Sequence, residues 1–365
     1  MNFEFDDEQE ALRTSVRRFL EARAHLGFAR TVWDDPRGTT DPVWQGLADL
    51  GVPGLLVPAT AGGTGGGMVD AAVVCEELGR VAHPGPVVAS AVGAAGLVAD
   101  LDPADPLLPD LAAGTAIGTV ALAEPGRRSD WRGATTVASP AGTGWALTGT
   151  KVHVPDLPAA TVVLVVAATA DGLGVFAVDP AAATVVPTAL VDGTRRAGTL
   201  TLADAPARRI GSGDATTAVA VTVDRLHTAW VVDGVGAAEA AMTMAVDYAR
   251  DRRQFGAPIG SFQAVQHLCA DMLRNVELAR AASYYACWAL DAADRAEGHR
   301  AATMAIAFAA DGLYRVGADV VQVHGGVGYT WEHDAHLFYK RLMTLQGLGG
   351  GAAEHLEELA AITLD

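Results

Sequence analysis

Arg252, Gln254 and Phe255 stand together in the run Asp251-Arg252-Arg253-Gln254-Phe255-Gly256-Ala257-Pro258-Ile259. A guanidinium fork matches the oxygens of a pyrophosphate, and a phenyl ring can pack an adenine or a ribose. The same residues could also be cations at a helix C-terminus, where the dipole favours them. Gln263 and His267 fall on the helix face that follows. Further on, Gln322-Val323-His324-Gly325-Gly326 ends an apolar helical run. Gly325 and Gly326 would let a ligand approach the backbone closely, although a glycine pair also stops a helix.

Side chains able to take a proton are sparse around these runs. Asp233 lies within an apolar helical stretch. Asp224 precedes that stretch and suits an N-cap. Glu239 is nearly two turns further and faces another surface. Glu332, His333 and Asp334 read as structural, with Asp334 capping a helix from Ala335. The turn Glu124-Pro125-Gly126, with Ser129 just after it, can present backbone N–H groups and a hydroxyl to a ligand. His153 and Pro155 end a strand-like run, where a lone histidine is more often structural than a ligand. No Cys/His pattern has zinc-site spacing. Cys75, Cys269 and Cys287 are odd in number and far apart, so they read as reduced thiols of a cytoplasmic protein.

Three regions must position these groups. Residues 1–117 read as helices: Leu12, Val16, Phe19 and Leu20 recur at helical spacing, as do Trp44, Leu47, Ala48 and Leu50. A glycine-rich loop runs from Pro58 to Met68. A helix over Val69–Val81 follows, with Glu76 and Glu77 on its wet side. Residues 118–215 read as a β domain, with strand-like runs at Thr161–Val166 and Gly174–Val178 and a short glycine-closed run at Gly144–Gly149. Residues 216–365 read as a helical bundle, with helices over Leu226–Arg250, Phe262–Asp294, Arg300–Val323 and Ala335–Leu345. The fold class is α+β multidomain: a helical domain, a β-barrel-like domain, then a four-helix bundle.

Composition removes some functions. The formal charge of -17 argues against nucleic acid, which needs a basic face. No run of about 18 residues is apolar throughout, so no membrane span is expected. The acidic start Met1–Glu8 lacks the basic, apolar pattern of a secretory signal.

The motifs resemble those of the acyl-CoA dehydrogenase flavoenzymes. Residues 252–263 match Arg-x-Gln-Phe-Gly-x-Pro-Ile-x-x-Phe-Gln, and Gln322 to Tyr329 matches the second C-terminal signature. Weaker matches are Phe3–Arg18, Trp44–Pro58 and Glu76–Gly79. Ala123–Asp130 is similar to Thr-Glu-Pro-Gly-Ala-Gly-Ser-Asp. There Ala123 replaces the threonine, Arg127-Arg128 replace Ala-Gly, and Ser129 is kept at a position that helps hold substrate or cofactor. Residues 149–155 are similar to Gly-x-Lys-x-(Trp/Phe)-Ile-(Thr/Ser), with His153 and Pro155 at the aromatic and hydroxyl places.

The resemblance implies FAD as cofactor and α,β-desaturation of an acyl-CoA. Arg252, Gln254, Phe255, Gln263, Gln322, Gly325 and Gly326 would hold the adenosine and pyrophosphate end of FAD. It also implies a glutamate over the substrate's α-carbon, and none is present. Gly349 falls at the usual position and Leu226 at the alternative one. General-base assistance is worth about 10²–10⁴-fold, so the chain should be inactive or weak alone. Asp233 is then a weak substitute.

The chain resembles in particular the shorter, base-lacking subunit of heterotetrameric acyl-CoA dehydrogenases of steroid-degrading actinobacteria. That implies a base-carrying homologous subunit as partner, a bulky sterol-type acyl-CoA as substrate and electron-transferring flavoprotein as acceptor. The alternatives are a homotetrameric dehydrogenase using Asp233, and a non-enzymatic acyl-CoA-binding or scaffold protein.

Overall fold

The computed structural model describes residues 4–127 and 130–364 of the 365. The element order is helices, strands, helices. The helices α1 (Asp7–Arg23), α2 (Leu26–Thr31), α3 (Asp41–Asp49), α4 (Met68–Arg80), α5 (Gly96–Leu101) and α6 (Leu108–Ala113) come first. The strands follow: β1 (Gly118–Ala121), β2 (Val137–Ala141), β3 (Gly144–Pro155), β4 (Val162–Thr169), β5 (Gly172–Val178), β6 (Thr184–Pro187) and β7 (Ala197–Ile210). Next come α7 (Thr216–Asp251), the two-residue strands β8 (Arg253–Gln254) and β9 (Ala257–Pro258), α8 (Gln263–Ala292), α9 (Arg295–His324), α10 (Ala335–Leu345) and α11 (Ala352–Leu364). The chain divides into two compact units, one drawn from Met1–Arg30, Ala72–His83 and His227–Asp365, the other from Thr31–Ala71 and Pro84–Leu226.

The second unit is built on the sheet. β4 pairs with β2, β2 with β3, β3 with β7, β7 with β5, and β5 with β4 again, so five strands form a closed ring with β1 and β6 added to it. Closure removes the free edges that an open sheet would expose. β4 shows why its run is apolar without alternation. Val163 and Val165 join one buried cluster with Leu147, Phe176 and Leu200, while Leu164 and Val166 join another with Leu97, Leu108 and Leu111. Both faces of the strand are covered, so both need apolar residues.

The run at 144–149 is the first half of a twelve-residue strand. Gly149 sits at a register shift, with φ 155°. A Cβ there would come within 2.5 Å of the Thr136 hydroxyl, so the strand passes a neighbour at the one point where a side chain could not. A buried helical stretch, a π-helix over Val88–Ala95 continuing into α5, packs on the sheet cluster; nothing in its Ala/Val-rich composition gave it away.

The first unit is helical. α9 packs against α8, α10 and α11. Its core joins Val231, Val235 and Ala241 of α7, Met272 and Val276 of α8, Ile306, Leu313 and Val320 of α9, and Phe338 and Leu342 of α10. α7 is long and apolar enough to pass a simple test for a membrane span, but most of its apolar window is buried inside the protein, as expected of a core helix. α4 crosses α7 with no side chain between them. A Cβ on Gly79 would lie 1.8 Å from the Asp233 carbonyl oxygen, and one on Gly236 would lie 1.9 Å from that of Glu76.

Several expectations are corrected. Glu76 and Glu77 do not face water. Arg17 and Arg80 bond the buried Glu77 carboxylate, at 2.6 Å and 2.9 Å, and Arg280 and Tyr284 bond Glu76. A carboxylate met by two guanidiniums can be buried where a lone one cannot. Asp224 is no N-cap: α7 begins at Thr216, and Asp224 is buried inside it. The Asp214 carboxylate accepts from the Thr216 hydroxyl at 2.8 Å instead. Asp334 does not cap α10 with its side chain. It pairs with Arg30 at 2.7 Å, while the Ala335 N–H donates to His333 Nδ1. α11, an additional helix, follows the glycine turn at Leu348–Gly350.

Candidate functional site

The two C-terminal motifs end at the same place. α7 delivers Arg252 from its C-terminus, and α9 delivers Gln322 and His324 from its own. The rings of Tyr248 and His324 meet at 4.7 Å between centroids, one turn before Arg252 and two residues after Gln322. The His324 ring also meets His333 at 4.3 Å, and its Nδ1 lies 2.8 Å from the Val320 carbonyl oxygen. Burial lowers the pKa of His324, against the bond to Val320, which raises it.

Arg252 is followed by a hairpin. Arg253 pairs with Pro258 and Gln254 with Ala257. The two residues between, Phe255 and Gly256, both have left-handed backbones, φ 53° and 79°. Such two-residue loops match the twist of the strands they join, but a phenylalanine there is unusual. The ring of Phe255 is 94% exposed, touching Phe262 edge to face at 6.1 Å. Arg252, Arg253 and Gln254 are exposed. Among the described residues neither Arg252 nor Arg253 makes an ion pair or donates a side-chain hydrogen bond, while Gln254 bonds the carbonyl of Arg253. Gln263 and His267 are exposed on the first turns of α8.

At the end of α9 the Gly325 backbone is left-handed, φ 64°. A Cβ added to Gly325 or to Gly326 would meet nothing within 4 Å. Gln322 is exposed, as are Tyr329 and Trp331. The hairpin and the glycine pair thus offer unpaired cations, an uncovered aromatic ring and bare backbone. These suit the phosphates and the flat adenosine of a dinucleotide.

In the sheet unit the quoted motifs also meet. Glu124 accepts from Lys151 Nζ at 2.8 Å, from the Thr136 N–H at 2.8 Å, and from the Thr135 N–H and hydroxyl at 2.6 Å and 2.5 Å. Burial would raise its pKa, but these donors outweigh burial and hold it well below the usual carboxylate range. Lys151 is pushed down, because burial outweighs its bonds to Glu124. Four donors converge on the carboxylate and keep the pair charged. Glu124 and Lys151 are 27 positions apart, so no local pattern joins them.

Strand β3 passes beside this turn, with the Val152 N–H on the Ala123 carbonyl. His153 is exposed with a left-handed backbone, φ 53°, at a second register shift. The Pro155 carbonyl accepts from the Thr119 hydroxyl. Ser129 lies outside the described residues.

Asp233 and Glu239 are both ion-paired, and Leu226 and Gly349 carry no carboxylate. Asp233, weighed above as a substitute base, is 1% exposed, and Arg341 holds both of its oxygens, Nε at 2.8 Å and Nη2 at 2.6 Å. A carboxylate so clamped is a poor proton acceptor, because protonating it would leave a buried guanidinium unpaired. Glu239 bonds Arg280 at 3.0 Å. Leu226 is buried, with its side chain against Gly93. Gly349 has φ 60° and belongs to a turn in which Gly350 and Gly351 are also left-handed. No cluster able to hold a metal ion occurs among the described residues.

Comparison with known proteins places this geometry. The acyl-CoA dehydrogenase N-terminal domain matches residues 6–103, and the acyl-CoA dehydrogenase C-terminal domain matches residues 211–364. The acyl-CoA dehydrogenase IpdE2 of Mycobacterium tuberculosis is 32% identical over 92% of this chain and 91% of its own length. The acyl-CoA dehydrogenase FadE34 of the same organism is 34% identical over 98% of this chain, yet the chain spans 48% of FadE34, about half. Among solved structures, a variant of the Tcur3481-Tcur3483 steroid ACAD superposes with a TM-score of 0.90 at 32% identity, over 98% of each chain. The ChsE4-ChsE5 complex of Mycobacterium tuberculosis superposes with a TM-score of 0.90 at 29% identity, over 100% of this chain and 99% of that one. With its helical N-terminal part, closed central sheet and helical C-terminal part, and with relatives of this likeness along its whole length, the chain belongs to the acyl-CoA dehydrogenase family.

Proposed function

We propose that this chain is a subunit of an FAD-dependent acyl-CoA dehydrogenase, contributing contacts to the adenosine and pyrophosphate of FAD and no catalytic glutamate. The observation that carries the reading is the hairpin: among the described residues Arg252 is exposed and without an ionic partner, and Phe255 stands 94% exposed beside it. A ring so open to water is available to pack a flat ligand face. Arg252 would take pyrophosphate oxygens as a fork, Phe255 would pack the adenosine, and Gly325 and Gly326 would admit its edge against bare backbone. Gln254, Gln263 and Gln322 would bond its polar edges. FAD, when bound, supplies the acceptor for the hydride that leaves the β-carbon.

The α-proton needs a separate acceptor. Gly349 and Leu226 have none, and Asp233 is tied to Arg341. We infer that a homologous, base-carrying subunit brings it, in a heterotetramer. The names of the ChsE4-ChsE5 complex and of the steroid ACAD support such a pairing and a bulky, sterol-type acyl-CoA. Electron-transferring flavoprotein is the acceptor this reading expects, and three free thiols fit a cytoplasmic setting.

Expression alone and with a base-carrying homologous subunit tests the proposal, by mass and flavin stoichiometry. Co-purification with about half a flavin per chain is expected. A yellow homotetramer that turns over acyl-CoA unaided would defeat the subunit reading. Absence of flavin absorbance even with the partner would favour a non-enzymatic acyl-CoA-binding protein.

A further inference from the structure

Gly349 does more than lack a side chain. A Cβ built on it would lie 2.5 Å from His227 Nε2, 2.6 Å from His227 Cε1 and 2.9 Å from His355 Cε1. These separations are shorter than non-bonded carbon contacts, which are best at about 3.5–4.0 Å, so the space ahead of residue 349 is already filled. The second of these rings is held in place. His355 is 2% exposed, with Nε2 2.9 Å from the Leu348 carbonyl oxygen, which ties α11 to the turn itself. The two imidazoles meet edge to face at 5.2 Å, and Trp230 flanks His227 at 6.4 Å.

The geometry points to His227, braced by His355, as the group that occupies the place of the proton-accepting side chain and seals that position in this subunit. The inference deepens the proposed function and rests on its reading of Gly349 as the position where the base would stand. The loss of the base is then two changes deep. A glutamate returned at 349 has no room until an imidazole leaves.

His227 is no replacement base. Burial, then the neighbouring His355, push its pKa down to about 3, against Glu358, which raises it; His299 lowers it further. A conjugate acid that strong makes a weak proton acceptor.

A stability cycle tests the seal and needs neither FAD nor substrate, so its failure is separable from failure of the subunit reading. The variants are G349A, H227A, H227Q and the doubles G349A/H227A and G349A/H227Q, melted in whichever assembly the wild-type chain forms. G349A should lower the melting temperature by on the order of 5 °C, through the left-handed backbone and the overlap together. The H227A background should shrink the G349A loss, because the overlap disappears while the backbone cost remains. The H227Q background should not, since a long side chain still fills the space. G349E should likewise fold poorly alone and better with H227A. Additive losses in the G349A/H227A double, or a G349E chain as stable as wild type, would overturn the inference.

Discussion

The Arg252–Pro258 hairpin and the Leu348–Gly351 turn belong to the same helical unit, and both depend on left-handed backbone. They are built in opposite ways. In the hairpin the cationic and aromatic side chains are present and stand open to water. In the turn Gly349, Gly350 and Gly351 carry no side chain, and neighbouring imidazoles stand against Gly349. The first arrangement leaves binding groups for something outside the chain. In the second, a methyl group would overlap the His227 and His355 rings unless they shift. On the proposed reading, nucleotide contacts and proton removal would depend on separate pieces of surface and separate packing.

The largest expected effect tests the frame that delivers the turn. Arg341→Met leaves Asp233 buried without its guanidinium, and should cost about 3–5 kcal/mol in urea unfolding. A cost below about 1 kcal/mol, the worth of a surface pair, would mean that α10 is not tied to α7 there, and that the turn is free to shift.

Acid comes next. Burial holds His83 and His227 to about 3, against 6.5 for a free imidazole. An imidazole whose folded pKa is lowered binds fewer protons folded than unfolded. Stability is thus full above about pH 6.5 and falls as pH drops toward 3, by at most about 1.4 kcal/mol per pH unit per group. Melting curves between pH 7 and pH 4 check this, and H227Q should flatten them. An unchanged slope in H227Q would place His227 in water and weaken the contrast between turn and hairpin.

The hairpin should respond in ligand affinity rather than in stability. Arg252→Ala should weaken FAD binding about 10- to 100-fold, the worth of a lost charged hydrogen bond. It should move unfolding stability by less than about 0.5 kcal/mol, because no described residue pairs with that guanidinium. Isothermal titration of the assembled protein, beside a melting curve, separates the two. Phe255→Gly should show the smallest effect on the isolated chain, a slight gain of stability from relieving the left-handed phenylalanine. A loss would mean the ring is packed after all.

The sequence was readable where patterns are local. The order of helices, strands and helices followed from periodicity, and β4 from its apolar run. Arg252, Gln254 and the Gln322–Gly326 segment could be picked out because glycine, arginine and aromatic residues at fixed spacing are rare together. Long-range pairing was not readable. Glu76 and Glu77 looked wet because acidic residues on a helix usually are; Arg17 and Arg280, which make them tolerable inside, are remote in sequence. Asp233 looked available for the same reason, with Arg341 108 positions away. His227 and His355 carried no motif at all. Only the absence of a side chain at 349, seen in three dimensions, gave them a role.

The bare crossing of α4 and α7 has a consequence of its own. Gly79 and Gly236 each stand against the other helix's carbonyl oxygen, so the helices can dock in one setting only, and a methyl group on either would pry them apart. Losing a carboxylate leaves such a joint untouched; losing either glycine would unhinge the scaffold on which every nearby ion pair is hung.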